Sequence, residues 1–258
     1  MSITGGRKSL SSVFIIVPTY NEAENLPRLI KELNEELKEK QYTLIVVDDN
    51  SPDGTSDIAE NLGKYYKNII INRRSQKLGI GSAISDGIKI ALSFPDCKYI
   101  ITMDADFSHN PKDVPRLLKE GENADIIQGS RYIKDGKIIG WSHLRKAESY
   151  GANLICKLLF RTGLSDHTSF FRVYSKKCAE TIVKNSSCRG FEWSIGSILI
   201  AKDHGFKIKE FPVIFTDRTQ GKSKLKFQDI LQWSLNVTNM FLKRLFLNCR
   251  YKRNIITE

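Results

Sequence analysis

Cysteine is sparse, and none of it falls in a recognisable pattern. Five cysteines stand at positions 97, 156, 178, 188 and 249, an odd number with no C-x-x-C pair. That distribution argues against a disulfide framework and against a zinc site, and for a reducing compartment. The four histidines are scattered without H-x-x-x-H spacing, so each reads as an ordinary packing residue. No stretch approaches the roughly 18 consecutive apolar residues that span a bilayer. The opening MSITGGRKSLSS has no apolar core of a signal peptide, so residues 1–12 are expected to form a flexible tail. The sequons at Asn185 and Asn236 are then chance matches.

Several chemical signatures fail in instructive ways. Gly221-Lys222-Ser223 resembles the end of a phosphate-binding P-loop, but Thr216 stands where its first glycine belongs. Gly79-Ile80-Gly81 begins like a dinucleotide fingerprint, but Ile84 replaces the third glycine. No G-x-S-x-G elbow occurs, which removes the commonest acyl-transfer arrangement. Acid is nearly absent from residues 218–253, where nine Lys and Arg face only Asp229 and carry +8 of the chain's net +11. A partner of opposite charge should meet that region: an acidic substrate, an anionic membrane surface or nucleic acid. For nucleic acid nothing else speaks, because the acids described next would repel its phosphates, and none is expected as a partner.

What the chain does contain is a regular alternation. Its 258 residues, 41% hydrophobic and 27% charged, have an ordinary globular composition and length for one sizeable core. Apolar, β-branched runs at residues 13–17, 42–47, 68–72, 99–103 and 124–128 alternate with helical periodicity, as at Leu26, Leu29, Ile30, Leu33 and Leu37. The pattern predicts an α/β fold, a single domain with a mostly parallel central sheet and helices on both faces. Asn21 with Glu24 is expected to cap the first helix, Ser51-Pro52 the second, and Asn110-Pro111 the fourth. Beyond Tyr132 we expect a loop at 136–141, helices at 144–160, 176–185 and 191–203, and strands entering near 172 and at 206–215. Residues 227–247 form an amphipathic helix with a basic end, either packed on the domain or lying at an interface. The organisation is thus a tail at 1–12, a domain at 13–226, and a helix with a basic tail at 227–258.

Residues 99–111, YIITMDADFSHNP, carry the clearest chemistry. An unalternating apolar strand ends in Asp104 and Asp106, at the sheet edge where α/β proteins bind ligands. With Asn110-Pro111 available to start the helix, the acids have no structural task in the sequence. Paired carboxylate oxygens suit Mg²⁺ or Mn²⁺. The second strand also ends in acid: Asp48 fits a backbone-bonding turn as well as it fits function, whereas Asp49 leans towards function. The same edge receives Tyr20, Glu22 and Arg131, and the second half adds Arg145, Arg172, Arg218 and Lys224. A carboxylate that accepts from a base, a metal-holding D-x-D and arginines for phosphate oxygens together fit a nucleotide-diphosphate donor with an anionic acceptor.

The ordered segments VPTYNE, VVDDNSPDGT, RRSQKLGIGSA, MDADFSHNP, GSRY, GWSHLRKAESYGAN and DRTQGKSKL resemble the dolichyl-phosphate mannosyltransferases, inverting family-2 glycosyltransferases of the Rossmann-like GT-A fold. The resemblance implies mannose transfer from GDP-mannose to dolichyl phosphate at the cytosolic face of the endoplasmic reticulum. It also implies a membrane surface or small membrane-embedded partner subunits. Carried over, Pro18, Tyr20, Glu22, Val47 and Asp49 line the guanosine site, and Asp104 and Asp106 serve the donor diphosphate. Asp104, Asp106 and Ser108 hold the metal, Ser108 standing where some relatives have Gln. Asp106, Arg131 and Arg145, with Arg218 and Lys224 on a closing loop, make up the catalytic set. An acceptor phosphate is already ionised, so the resemblance requires no strong general base.

Overall fold

The computed structural model describes residues 12–218 and 227–256. Val13–Thr19 (β1), Leu26–Glu36 (α1), Tyr42–Asp48 (β2), Thr55–Tyr66 (α2), Ile69–Arg73 (β3), Ile80–Leu92 (α3), Tyr99–Thr102 (β4) and Asp113–Glu120 (α4) form the alternating first half. Then come Ile126–Ser130 (β5), Lys137–Ile139 (β6), His143–Phe160 (α5), Arg172–Ser175 (β7), Lys176–Asn185 (α6), Trp193–Asp203 (α7), Ile208–Pro212 (β8), Ile214–Thr216 (β9) and Phe227–Ile256 (α8). The main sheet has the order β3-β2-β1-β4-β7-β5-β8, and every pairing in it is parallel except those of β7.

Two apolar layers sandwich that sheet. On one face Ile15, Val17, Leu44 and Val46 pack with Leu29, Ile30 and Leu33 of α1; on the other Phe14, Ile16, Ile45 and Val47 pack with Ala83, Ile84 and Ile88 of α3 and with α6 and α7. Strands with apolar side chains on both faces sit where only a doubly covered sheet can hold them.

The expected α/β sheet is present, with differences at its edges. The segment expected as a loop at 136–141 contains β6, which pairs in parallel with β9 in a separate two-stranded sheet. The single strand expected at 206–215 is broken at Val213 into β8 and β9, each serving a different sheet. The first helix starts at Leu26 after Asn25, not at Asn21, whose φ of 56° places it in a left-handed turn. Ser51 does not cap α2: the capping position is Gly54, in a left-handed conformation, and Asp53 Oδ1 just before it accepts the Thr55 amide. Asn110 does cap locally, accepting the Lys112 amide one turn ahead of α4.

The C-terminal helix α8 packs on the domain: Trp233, Val237 and Met240 close over Cys156, Leu159, Ile195 and Leu199 of α5 and α7. Among the described residues no helix is long and apolar enough to cross a membrane. Residues 1–11 and 219–226, the latter including Lys222 and Lys224, lie outside the described residues.

Candidate functional site

The C-terminal ends of β1, β2 and β4 open into a cavity of about 460 Å³, closed from the far side by α5, β9 and the first turns of α8. Pro18, Tyr20, Glu22, Asp49, Asp104, Asp106, Ser108, Arg131, Arg145 and Arg218 all line it. Val47 does not: its side chain is buried in the core layer facing α3, leaving only its backbone near the site. Arg172 is far from the role expected of it. It is completely buried inside the sheet, donating to Gln128 and, at 2.6 and 2.7 Å, to Ser197 Oγ and the Ser194 carbonyl. An arginine this thoroughly bonded serves β7 and α7, not a ligand.

Neither aspartate ending β2 is spare. Asp48 accepts from Thr19 Oγ, the Ser51 amide and Ser56 Oγ, the turn-bonding alternative. Asp49 accepts from Arg74 Nη1 at 2.7 Å and from the amides of Leu78 and Gly79 at 3.2 and 3.1 Å. Burial raises its pKa, against the opposing charge of Arg74. It thereby ties β2 to the turn preceding α3. Gly79, at φ +98°, passes so close to the Arg189 carbonyl that a Cβ would lie 2.6 Å from it. The G-x-G there therefore serves backbone packing instead of dinucleotide binding. At the same end of the cavity the Lys77 ammonium rests 4.1 Å over the Tyr20 ring.

The D-x-D turn is built by its neighbours. Asp106 Oδ1 accepts the Ser108 amide at 3.1 Å, and its Oδ2 meets Arg218 Nη2 at 3.1 Å. Burial alone would raise the Asp106 pKa, but Ser108's hydrogen bonding and the Arg218 charge outweigh it and hold the carboxyl below its usual range. Asp104 differs. Its side chain is 29% exposed and lines the cavity. Burial first, then repulsion from Asp106 and Glu22, push its pKa up to about 7. A carboxylate destabilised by like charge is the electrostatic condition a divalent cation relieves. Among the described residues no cluster of three His, Cys, Asp or Glu offers a complete protein cage. Two carboxylates with free coordination positions suit Mg²⁺ or Mn²⁺, which keep waters and phosphate oxygens as ligands.

The opposite wall is cationic and aromatic. Arg131 makes a forked pair with Asp166, Nε to Oδ2 at 2.7 Å and Nη2 to Oδ1 at 2.8 Å, and donates to Thr168 Oγ1 at 2.6 Å. Its guanidinium carbon lies 5.3–5.6 Å from the rings of Tyr132, Trp141 and Phe215. Glu210 of β8 accepts the Ser165 and Asp166 amides, both at 2.9 Å, and so fixes the turn bearing Asp166. Arg145 sits 4.2 Å over Trp141 and pairs with Asp217 at 2.9 Å. Asp217 lies at the end of β9, so the small β6–β9 sheet is what brings Arg145 and Arg218 to one rim. Phe170 lines the cavity beside Phe191.

Sequence reasoning missed His109, Asp166, Trp141, Phe215 and Trp233. His109, expected to be an ordinary packing residue, lines the cavity and accepts the Asp104 amide at Nδ1. Burial lowers its pKa to about 4. Only its place three residues beyond Asp106 could have signalled it. The aromatic lid drawn from α5's approach, β9 and α8 has no sequence-local signal at all.

The Glycosyl transferase family 2 profile matches residues 14–183. An undecaprenyl-phosphate mannosyltransferase of Micrococcus luteus is 32% identical over 227 residues, 88% of this chain and 92% of that protein. A polyprenol monophosphomannose synthase of Mycolicibacterium smegmatis is 33% identical, over 84% of this chain and 82% of that one. A dolichol-phosphate mannosyltransferase of Pyrococcus furiosus is 35% identical over 86% of this chain, which spans 61% of that longer protein. Among solved structures, glucosyl-3-phosphoglycerate synthase of Mycobacterium tuberculosis, in complex with Mn²⁺, UDP and glucosyl-3-phosphoglycerate, superposes with a TM-score of 0.66 at 18% identity. The match covers 91% of this chain and 80% of that one. That likeness speaks for the fold.

Proposed function

This chain belongs to glycosyl transferase family 2 and has the GT-A fold, and from that premise we propose that it transfers mannose from GDP-mannose to dolichyl phosphate with inversion. The coarser part, a mannosyltransferase acting on a polyprenyl phosphate, is supported by relatives named for that activity over most of the chain. The finer part rests on one observation: a single cavity is lined both by the paired carboxylates and by Arg131, Arg145 and Arg218. Such a cavity accommodates a diphosphate and a second phosphate at once.

In this reading Tyr20, Glu22 and Asp49 hold the nucleoside, with Pro18 and the Val47 backbone beneath it. Asp104 and Asp106, with Ser108 beside them, hold Mg²⁺ or Mn²⁺, which supplies charge neutralisation at the departing diphosphate. An oxygen of the acceptor phosphate attacks mannose C1, the C1–O bond to the β-phosphate breaks, and GDP leaves with the electron pair. The attacking oxygen is already ionised, so no proton need be abstracted. Arg131, locked by Asp166, is a pre-aimed charge, whereas Arg218 is held by Asp106 and changes partner when the cation and phosphates arrive. Lys224 is assigned to the same closing loop by resemblance.

The acceptor is a lipid, and the apolar surface matches it. Leu144, Tyr150, Leu154, Ile155 and Leu158 of α5 and Leu231, Leu235 and Phe246 of α8 are exposed on the two helices whose Arg145, Ala152, Ile230 and Trp233 line the cavity. We place the protein at the cytosolic face of the endoplasmic reticulum, resting on the bilayer or on a small membrane-embedded partner through this face. The deciding experiment supplies purified protein with Mg²⁺ or Mn²⁺, GDP-mannose and dolichyl phosphate. Release of GDP with formation of dolichyl phosphate mannose supports the proposal, and no release overturns it. Thermal shift with GDP against UDP separates the alternative of a UDP-glucose donor.

A further inference from the structure

His109 is 3% exposed, yet it is a wall of the reaction cavity. Its Nδ1 accepts the Asp104 backbone N–H at 2.9 Å. A nitrogen accepting an amide proton carries none of its own, so the neutral ring has its proton on Nε2. The ring plane is fixed twice over: it stacks on Phe171 with centroids 4.9 Å apart and 14° between planes, and meets the Phe215 ring near-perpendicularly at 5.8 Å. Phe215 is also one of the rings around Arg131, at 5.3 Å, so His109 and Arg131 belong to one wall. Among the described residues Nε2 makes no hydrogen bond, and it is not one of the fully enclosed polar atoms left without a partner, which leaves it accessible on a residue that lines the cavity. An oriented N–H on a cavity wall is a site waiting for an acceptor.

We propose that His109 is a catalytic residue of the transfer, its Nε2–H donating to a phosphate oxygen in the cavity. The acceptor of that bond is an oxygen of the departing diphosphate or of the incoming polyprenyl phosphate; both present the same chemistry. No proton is transferred. As C1–O breaks, charge grows on the leaving oxygen, and a donor already oriented in a water-poor wall stabilises it without reorganisation. The same ring holds the Asp104 amide, so the D-x-D turn and the phosphate donor move as one body. This inference rests on the function proposed above.

Two isosteric variants divide the ring's tasks. In His109→Asn the amide oxygen takes the place of Nδ1 and keeps the Asp104 contact but offers nothing at Nε2. In His109→Gln the amide nitrogen reaches the position of Nε2. The expected result is a melting temperature for His109→Asn close to wild type with kcat lowered about 10- to 100-fold, and recovery of most of that loss in His109→Gln. A donor-side bond shows as weaker GDP binding in metal-free thermal shift, and an acceptor-side bond as weaker farnesyl phosphate binding in the same assay. Turnover of His109→Asn within threefold of wild type overturns the proposal. So does equal loss in both variants with lowered melting temperature, which would make the ring structural. If wild type itself releases no GDP from GDP-mannose, the proposed function fails. The metal-free binding assays still decide this inference: loss of GDP or farnesyl phosphate binding in His109→Asn, restored in His109→Gln, supports it, and loss of neither overturns it.

Discussion

Arg131 and Asp166, 35 residues apart in the chain, meet in a forked ion pair of 2.7 and 2.8 Å with both side chains buried. The Asp166 carboxyl is held below its usual range despite burial, because Arg131 and backbone amides bond the charged form. Pair and turn are a unit: without Asp166 the guanidinium is a buried charge with one hydroxyl for company.

Asp166→Asn should therefore cost about 3 kcal/mol or more of stability, the usual penalty for stranding one member of a buried pair. Urea denaturation measures it. Replacing both residues together with apolar ones should recover much of that stability while leaving turnover absent, which separates Arg131's structural from its chemical role.

Metal dependence follows from the two strand-end acids. EDTA should abolish GDP release, and added Mg²⁺ or Mn²⁺ restore it. Asp106→Asn should lower kcat by about 100-fold or more, the scale of losing a main electrostatic contributor. Full metal-dependent turnover in Asp106→Asn would remove the D-x-D turn from the centre of the site.

His167 makes the fold acid-sensitive. It is fully buried, its Nε2 paired with Thr162 Oγ1 at 2.6 Å, and burial lowers its pKa to about 4. The unfolded chain, with a pKa near 6.5, binds the proton more readily, so stability falls as pH drops from about 6.5 towards 4. This residue alone should account for about 2 kcal/mol lost by pH 5. His167→Gln should flatten that part of the stability–pH curve; an unchanged slope would assign it elsewhere.

The apolar face of α5 is exposed without disturbing the core. Leu154→Glu with Leu158→Glu should leave the melting temperature near wild type and turnover of a short-chain acceptor unchanged, while binding to anionic vesicles falls at least tenfold. Unaltered flotation with vesicles would remove the membrane role of this face.

Ending the chain at residue 226 tests whether the domain stands without α8. Ile230 and Trp233 line the cavity, and Val237 seals a cluster with Ile195 and Leu199. A truncated protein should melt roughly 10 °C lower, at about 2–4 °C per kcal/mol for this size, and lose most activity.

Much was readable from local pattern. Strands buried on both faces announce themselves as unalternating runs, so residues 13–17, 42–47 and 99–103 and the acids that follow them could be placed at one sheet edge from sequence alone. Asp104, Asp106 and Arg131 were found because strand ends converge there in any such sheet. Arg172 was misplaced for the complementary reason. At a strand start a charge looks available, and only the antiparallel insertion of β7 between β4 and β5 buries it against Gln128, Ser194 and Ser197.

Helix starts were less legible. Asn21 and Ser51 carry cap-forming side chains, but their neighbours offered better partners: Ser51 Oγ takes the Asn21 amide, and Asp53 reaches both Ala23 and Thr55. These bonds join two loops 30 residues apart, a distance no local propensity registers.

The sequence by itself determined the alternation, the parallel core and the acidic strand ends, because each depends on the burial and chemistry of residues close in the chain. The tertiary structure alone decided which charges are free to act. It bound Asp48 and Arg172 into the scaffold and aimed Arg131 with Asp166. It also brought Trp141, Phe215 and Trp233 from three distant segments over the site, and it turned His109 from a packing residue into an oriented donor. Hydrogen-bond saturation and shared burial are properties of the assembled cavity, and they exist only once the chain has closed around it.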